Sequence, residues 1–349
     1  MNQKSLKIAI YPGYTNMLKD QMFDLNSAAG KQLGGLPIFQ RYIALRDLLN
    51  QKGIELHTFD MYPSLRDVDL WIMLEANLKG YLFLAKNLIN PNKVIPVILE
   101  PSVVSPWEWK YVNYWSRLHP AVLTWSPGLV VQDEKFKKFH YLPFTFDASK
   151  YSHFISKSKK NLCLLMQSNK ASRVKGELYS LRREIIRYYE KRGDNLLDLY
   201  GYGWNSPNTQ HLGPSEPFYT PIYKGTAEDK WETFAEYQFI FCIQNAIPAG
   251  DFECDAFMTM ATGAVPIYLP PPDADKYIPR DTYINYNDFN NLDDLTAYLQ
   301  SIVGTPVYDE YKQKGWEFIN SEKFKPFTVQ QFSEDVYAVI KSVSEQIYG

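Results

Sequence analysis

The segment from Tyr237 to Leu269 constrains the fold more than any other part of the chain. Tyr237–Cys242 is an apolar and aromatic run, which predicts a buried β-strand. Pro248 and Gly250 break the loop that follows, and Ala264–Leu269 predicts a second buried strand. Since a helix fits between them, the segment predicts the strand–loop–helix–strand unit of a parallel α/β sheet.

The helix inside this segment has a predicted start and a predicted end. Asp251 can accept a free amide of the first turn, which predicts an N-cap for a helix starting at Phe252. Gly263 is expected to end it. Ligands of open α/β sheets bind where such a loop leaves the carboxyl end of a strand, and unpaired helix amides there suit an anion. The segment therefore predicts a site for a phosphorylated ligand.

The rest of the chain repeats this alternation in two series, separated by the polar and basic stretch 147–160, which predicts a linker. The first series has predicted strands at Lys7–Tyr11, Ile54–Phe59, Val68–Leu74, Val94–Leu99 and Ala121–Trp125, and a helix at Pro37–Lys52. The second has strands at Leu162–Met166 and Leu196–Tyr200 and helices at Lys175–Arg192, Lys230–Glu236, Asn290–Val303 and Phe327–Ile347. Two α/β domains follow from this pattern.

Composition and charge favour a soluble globular protein. Hydrophobic residues make up 45% and charged residues 22% of the 349 positions, which is ordinary for that class. A net charge of -2 gives no electrostatic basis for binding nucleic acid or an anionic membrane. The 26 tyrosines and 8 tryptophans belong either to an aromatic core or to exposed rings that stack on sugars.

Cysteine usage and the N-terminus bear on the compartment. Cys163, Cys242 and Cys254 show neither metal-ligand spacing nor a disulfide pattern, and the first two lie in apolar runs, which predicts buried thiols. The sequence enters its first strand without a secretory signal, and it has no apolar run long enough to span a bilayer. We therefore expect a cytoplasmic protein without an integral membrane segment, with peripheral attachment to the inner face of a bacterial membrane as the alternative.

One set of residues in the opening segment forms a motif. Its members are Phe239, Cys242, Asn245, Gly263, Val265, Pro266, Ile267 and Tyr268. This pattern resembles the donor-binding signature of the glycosyltransferase family 10 fucosyltransferases. Gln244 stands where that family usually has Glu, and Glu253, Cys254 and Asp255 replace its Thr-Glu-Lys triplet. The stretch from Tyr200 to Asn205 is similar to the family's Y-G-x-G-W-N turn, whose glycines permit a close backbone approach.

The resemblance implies an α/β, GT-B-like fold, with two Rossmann-like domains facing a central cleft. Residues 1–150 would form the acceptor-side domain and residues 151–330 the donor domain, and the helix of residues 331–349 would pack back on the first domain. An inverting transfer needs a carboxylate that takes the proton of the acceptor hydroxyl. The resemblance assigns this role to Glu100, at the end of a predicted strand; a Glu that merely starts a turn before Pro101 is the alternative.

A basic segment between a predicted strand and a predicted helix is the candidate diphosphate site. Asn169, Lys170, Arg173 and Lys175 would lie near the helix N-terminus, which suits an anion. The resemblance supports a phosphate-binding role for it, with Arg173 as the first candidate, whereas a solvated basic loop is the alternative. The exposed face of the helix is expected to carry Arg182, Arg183 and Arg187.

Four further residues complete the predicted donor site: Lys224, Gln244, Asn245 and Glu253. The Asn245 carboxamide can bond sugar or ribose hydroxyls, or only its own backbone in a turn. Gln244 keeps the shape of the family's Glu and loses its charge. Acids in the first turn stabilise the helix through its dipole but would repel a diphosphate.

No metal site and no cofactor are predicted. The tripeptide Asp273-Ala-Asp275 resembles a metal-binding D-x-D motif, but it follows three prolines and is typical of a turn. The five histidines lack ligand spacing.

Taken with the resemblance, these features predict a metal-independent inverting transferase that moves fucose from GDP-fucose to a glycan hydroxyl. The expected partners are thus a nucleotide sugar and an oligosaccharide acceptor, and no nucleic acid. The alternatives are a catalytically inactive carbohydrate- or protein-binding module of the same fold, and a transferase that uses another nucleotide sugar.

Overall fold

The structure, a computed structural model, describes residues 5–31, 39–74, 76–140, 148–205 and 218–349. The chain divides into two compact units. Unit 1 comprises Met1–Thr145, Ala249–Asp251 and Pro326–Gly349, and unit 2 comprises Phe146–Pro248 and Phe252–Lys325. The three residues Ala249–Asp251 thus belong to unit 1, although the residues on both sides of them belong to unit 2.

Strands and helices alternate along the chain. The strands are β1 (Lys7–Tyr11), β2 (Glu55–Thr58), β3 (Leu70–Leu74), β4 (Val94–Ile98), β5 (Val122–Thr124), β6 (Phe136–Lys138), β7 (Asn161–Met166), β8 (Leu197–Tyr200), β9 (Tyr223–Gly225), β10 (Tyr237–Cys242), β11 (Val265–Tyr268) and β12 (Ile284–Asn285). The helices are α1 (Ala28–Lys31), α2 (Gln40–Gln51), α3 (Leu78–Lys86), α4 (Pro106–Leu118), α5 (Pro127–Gln132), α6 (Ala148–Ile155), α7 (Tyr179–Arg192), α8 (Lys230–Phe234), α9 (Cys254–Ala261), α10 (Leu292–Ile302), α11 (Pro306–Ile319) and α12 (Val329–Tyr348).

The sheet of unit 1 is parallel, in the order β2-β1-β3-β4-β5-β6 within the described residues. Every residue of β3 and β4 is buried, as expected for parallel strands with helices on both faces. On one face α12 packs against α2, where the Phe332 and Tyr42 rings meet edge to face at 6.1 Å. On the other face α4 places Val112 and Trp115 in the core.

The sheet of unit 2 is also parallel, with the described order β12-β11-β10-β7-β8-β9. From β7 the chain builds β8 and β9 on one side, then returns to place β10, β11 and β12 on the other. This is the 3-2-1-4-5-6 order of a Rossmann fold. The order reverses between β7 and β10, so their carboxyl ends form a topological switch point.

The two-sheet α/β prediction is confirmed, and so are most predicted elements. β1 and β10 have the predicted bounds, and the other predicted strands end within two residues of their expected limits. Cys163 and Cys242 are fully buried, as predicted. The predicted helix start at Pro37 lies outside the described residues. Within them, the helix begins at Gln40. Within the described ranges, no helix is long and apolar enough to cross a membrane.

The predicted start of the motif helix was wrong. α9 begins at Cys254, and its N-cap is Glu253, whose carboxylate accepts from the Asp255 amide at 3.4 Å. Phe252, the predicted first residue, is instead only 7% exposed and packs edge to face on the Tyr277 ring at 5.2 Å. Packing of this aromatic side chain thus keeps it out of the helix and moves the first turn toward the C-terminus.

Two other local predictions were also wrong. α7 begins at Tyr179 rather than at Lys175, because the Glu177 carboxylate accepts from the Tyr179 amide at 2.7 Å and ends the preceding loop. The stretch taken as a linker contains α6, whose Tyr151 is buried and stacks on the Trp231 ring at 4.0 Å. Because residues 147–160 are mostly polar, the short apolar face of α6 was not recognised from the sequence.

Candidate functional site

The switch point of unit 2 is the candidate site, because ligands of open α/β sheets bind where the strand order reverses. Loop 167–178 leaves β7 there and loop 243–248 leaves β10. Both predicted site segments therefore meet at one edge of the sheet, together with the start of α9.

Arg182, on α7, anchors the loop that follows β10. It is 2% exposed, and its Nε and one terminal nitrogen donate to the Ile243 carbonyl at 2.8 and 2.6 Å. The same terminal nitrogen donates to Asn245 Oδ1 at 3.3 Å, and the Leu178 amide donates to the Asn245 carbonyl at 2.9 Å. The prediction that Arg182 lies on the exposed helix face was wrong, because position 182 falls on the inner stripe of α7 with Tyr179 and Tyr189.

Asn169 has a positioning role inside the first loop. It is 1% exposed; its Nδ2 donates to the Gly203 carbonyl at 3.1 Å and its Oδ1 accepts from Arg183 at 2.8 Å. Arg183 is therefore half-buried and engaged, contrary to prediction, whereas Arg187 is exposed as predicted. Both ends of the Asn169 carboxamide are used to fix the loop.

The glycine turn after β8 makes the predicted close approach. A Cβ on Gly201, whose φ is +135°, would lie 2.0 Å from the Gln167 carbonyl oxygen. The Trp204 indole donates to the same oxygen at 2.7 Å. This turn thus holds the exit of β7 in place.

The basic loop offers cations to the edge of the sheet. Arg173 and Lys175 are exposed, and neither makes a hydrogen bond or ion pair with another described residue. Lys170 is half-buried, and its carbonyl accepts from Arg183 at 3.3 Å. Two exposed cationic side chains therefore precede the N-terminus of α7, where an anion would gain from the helix dipole.

The start of α9 carries two acids in a partly buried setting. Asp255 is 3% exposed and forms an ion pair with Lys230 Nζ through Oδ1, and its Oδ2 accepts from Gln167 Nε2 at 3.2 Å. Burial alone would lower the pKa of Lys230, but the Asp255 carboxylate raises it overall, so the ammonium stays charged. The sequence analysis did not identify Lys230 as a site residue.

Glu253 lies beside this pair and has a raised pKa. Burial, followed by the negative charge of Asp255, raises its carboxyl pKa from 4.5 to about 7, and the charges of Lys230 and Arg182 oppose the rise. The neighbouring Cys254 thiol has a raised pKa for the same two reasons, and is therefore not a ready metal-binding thiolate.

The structure does not bring every predicted donor residue to the switch point. Gln244 is 5% exposed in the turn after β10, and Asn245 is half-buried beside it. Lys224 lies on β9, separated from β7 by β8, and its ammonium pairs with Asp198 at 3.2 Å. The structure thus gives Lys224 a partner of its own, away from the loops.

Glu100 belongs to unit 1, in a bend just after β4. Its carbonyl accepts from the Trp109 indole at 2.9 Å, and the Trp125 indole donates to the Leu99 carbonyl at 3.1 Å. The two indoles lie 5.5 Å apart and fix the backbone at the carboxyl end of β4. The sequence analysis named Glu100 as a candidate and did not name either tryptophan.

A protein-family model and several known proteins match this chain. The model of the glycosyltransferase family 10 (fucosyltransferase) C-terminal domain matches residues 156–335, more than half of the chain. An alpha-(1,4)-fucosyltransferase of Arabidopsis thaliana is 25% identical over 144 residues, which are 38% of this chain and 36% of that protein. The chain thus spans about a third of the length of this relative.

Solved structures resemble the whole chain. HepE of Anabaena, in complex with UDP and glucose, has a TM-score of 0.56 at 11% identity and covers 97% of this chain and 100% of its own. A glycosyltransferase of Rickettsia africae has a TM-score of 0.55 at 12% identity, covering 98% and 99%. An alpha1,3-fucosyltransferase with GDP has a TM-score of 0.53 at 12% identity, covering 99% and 92%. At such identities the likeness shows the fold, a GT-B pair of Rossmann-like units.

Proposed function

We propose that this chain, which belongs to glycosyltransferase family 10, the fucosyltransferases, transfers fucose from GDP-fucose to a hydroxyl of a glycan, with inversion. One observation carries the proposal: two cations without a partner among the described residues, Arg173 and Lys175, lie at the switch point of a Rossmann sheet. Nucleotides bind at this position in open α/β sheets. The similar fold of proteins solved with GDP or UDP supports it.

In this proposal the two loops bind different parts of the donor. Arg173 and Lys175, with Lys170 behind them, hold the diphosphate by charge-assisted hydrogen bonds. Asn245 uses its Oδ1 for Arg182, so its amide group is directed to sugar or ribose hydroxyls, and Gln244 supports that turn. Asn169 positions the basic loop.

The reaction is a single displacement at the anomeric carbon. Glu100 takes the proton of the acceptor hydroxyl as its oxygen attacks, and the bond from the anomeric carbon to the diphosphate oxygen breaks. GDP leaves with the electron pair, and the basic loop stabilises the charge that develops on it. The family resemblance supports Glu100 in this role, together with its position at the carboxyl end of β4.

Calorimetric titration with GDP, UDP and GDP-fucose tests donor binding. We expect GDP to bind and Arg173→Ala to weaken it by about tenfold, since one charge-assisted contact is lost. Lys191→Ala, another exposed cation near the far end of α7, is the matched control and should bind as the wild type does. If the wild type binds no nucleotide, the transferase proposal fails.

Catalysis is tested separately from binding. Glu100→Gln should abolish transfer of fucose to glycan acceptors while it leaves the affinity for GDP-fucose unchanged. If the variant retains wild-type turnover, Glu100 is not the base.

A second candidate function is a non-catalytic carbohydrate- or protein-binding module, which the acids Glu253 and Asp255 in place of Thr-Glu-Lys favour. It predicts a folded protein that binds glycans without GDP-fucose turnover. Turnover with a different nucleotide sugar would instead identify another donor.

A further inference from the structure

A buried ion pair joins two helices at the edge of the candidate site. Lys230 is the first residue of α8, and Asp255 is the second residue of α9. Their side chains are 17% and 4% exposed, and they meet through Lys230 Nζ and Asp255 Oδ1. The Asp255 carboxylate also accepts from Gln167, which directly follows β7.

The pair changes the charge at the helix end that faces the switch point. A helix N-terminus attracts anions, but a carboxylate on its first turn cancels this attraction. Asp255 is such a carboxylate, and Glu253, the N-cap residue, adds a second carboxyl group. The ammonium of Lys230 offsets one negative charge at contact distance, in a place where water screens little.

Arg182 cannot replace Lys230 in this respect. Its guanidinium is engaged with the Ile243 carbonyl and Asn245 Oδ1. Its charge lowers the pKa of Glu253 from a distance, without an ion pair to that acid. Lys230 is the cation in direct contact with Asp255 among the described residues.

We propose that Lys230 is a positioning residue for the donor: by neutralising Asp255 it keeps the start of α9 able to accept a nucleotide diphosphate. This rests on the proposed function of the site. In this chain a lysine on a neighbouring helix thus supplies positive charge beside a helix turn that itself carries acids.

The test is the dissociation constant for GDP in four proteins: wild type, Lys230→Met, Asp255→Asn and the double variant. We expect Lys230→Met to weaken GDP binding by about tenfold, because an uncompensated carboxylate remains. Asp255→Asn should bind GDP severalfold more tightly than the wild type, since it keeps the ammonium and loses the acid. The double variant should lie within about threefold of the wild type.

Lys157→Met is the matched control. Lys157 pairs with Glu232 of the same helix α8 at 2.6 Å, so this change also removes a lysine–carboxylate pair from α8 but not one at α9. It should bind GDP as the wild type does. Thermal unfolding is measured in parallel, because a buried acid left alone destabilises a protein. If Lys230→Met does not fold, Asp255→Asn and the double variant still decide the result.

Three results overturn the inference. Equal GDP affinity in all folded variants means that the pair is only structural. Weaker binding in Asp255→Asn means that the carboxylate itself contacts the ligand or its support. Failure of the wild type to bind any nucleotide removes the proposed function as well. The titration of the wild type alone distinguishes this result from the first two.

Discussion

Replacing Glu253 by Gln should make the stability of unit 2 less dependent on pH. The carboxyl of Glu253 caps α9 and lies beside Asp255, with Lys230 and Arg182 as the nearby positive charges. Burial and Asp255 raise its pKa from 4.5 to about 7. The glutamine that Glu253→Gln introduces keeps a cap acceptor but cannot ionise, so the substitution isolates the ionisation.

The sign follows from the direction of the shift. Because the folded protein holds this proton more tightly than the unfolded chain, the favourable contribution is complete below pH 4.5 and is lost as the pH rises through 7. A shift from 4.5 to about 7 corresponds to ~3 kcal/mol in full. Between pH 5 and 8 the wild type should lose about 2 kcal/mol that Glu253→Gln does not lose.

Urea unfolding of both proteins at pH 5 and pH 8, without nucleotide, measures this difference. Nucleotide is left out because its own phosphate titrates near pH 6. The control is Glu228→Gln, which changes an exposed carboxyl in the same unit. The difference in unfolding free energy between this variant and the wild type should be small and should not grow with pH. A difference between wild type and Glu253→Gln that is the same at both pH values, or a wild type that gains stability relative to the variant from pH 5 to pH 8, would contradict the raised pKa.

Gly201→Ala should destabilise the protein by about 3 kcal/mol in denaturant unfolding, because its Cβ would collide with the Gln167 carbonyl and its φ is positive. Gly176→Ala also has a positive φ but meets open space, so it should cost only about 1 kcal/mol, and equal costs would contradict the packing argument. Arg182→Met should cost about 3 kcal/mol, since it strips the buried Ile243 carbonyl of its donors. Arg187→Met, at an exposed ion pair on the same helix, should change stability by less than about 1 kcal/mol; a reversed order would show that Arg182 does not anchor the loop after β10.

Apolar strands were predictable from the sequence, while two short edge strands that carry lysines were not. β3 and β4 are continuous apolar runs, and burial on both faces makes such runs recognisable. β6 and β9 have three residues each, and their lysines give no apolar pattern. Such edge segments become strands only because a neighbouring strand pairs with them.

The position of the candidate site in the fold could be predicted in part from the sequence. Arg173 and Lys175 lie in the loop between β7 and α7, as the sequence predicted. Loops at the carboxyl ends of parallel strands meet at one edge of the sheet, so this position was expected. Arg182 and Lys230 were missed because their roles depend on partners far along the chain, Ile243 and Asp255. The helical period could have placed Arg182 on the inner face of α7, but no local pattern pairs Lys230 with Asp255.

A crystal structure of the protein with GDP would show directly whether the switch point of unit 2 holds the donor diphosphate, as we propose. We expect diphosphate density between loops 167–178 and 243–248, in contact with Arg173 or Lys175 and close to the start of α9. GDP bound elsewhere on the chain, or no nucleotide density at saturating GDP, would contradict it.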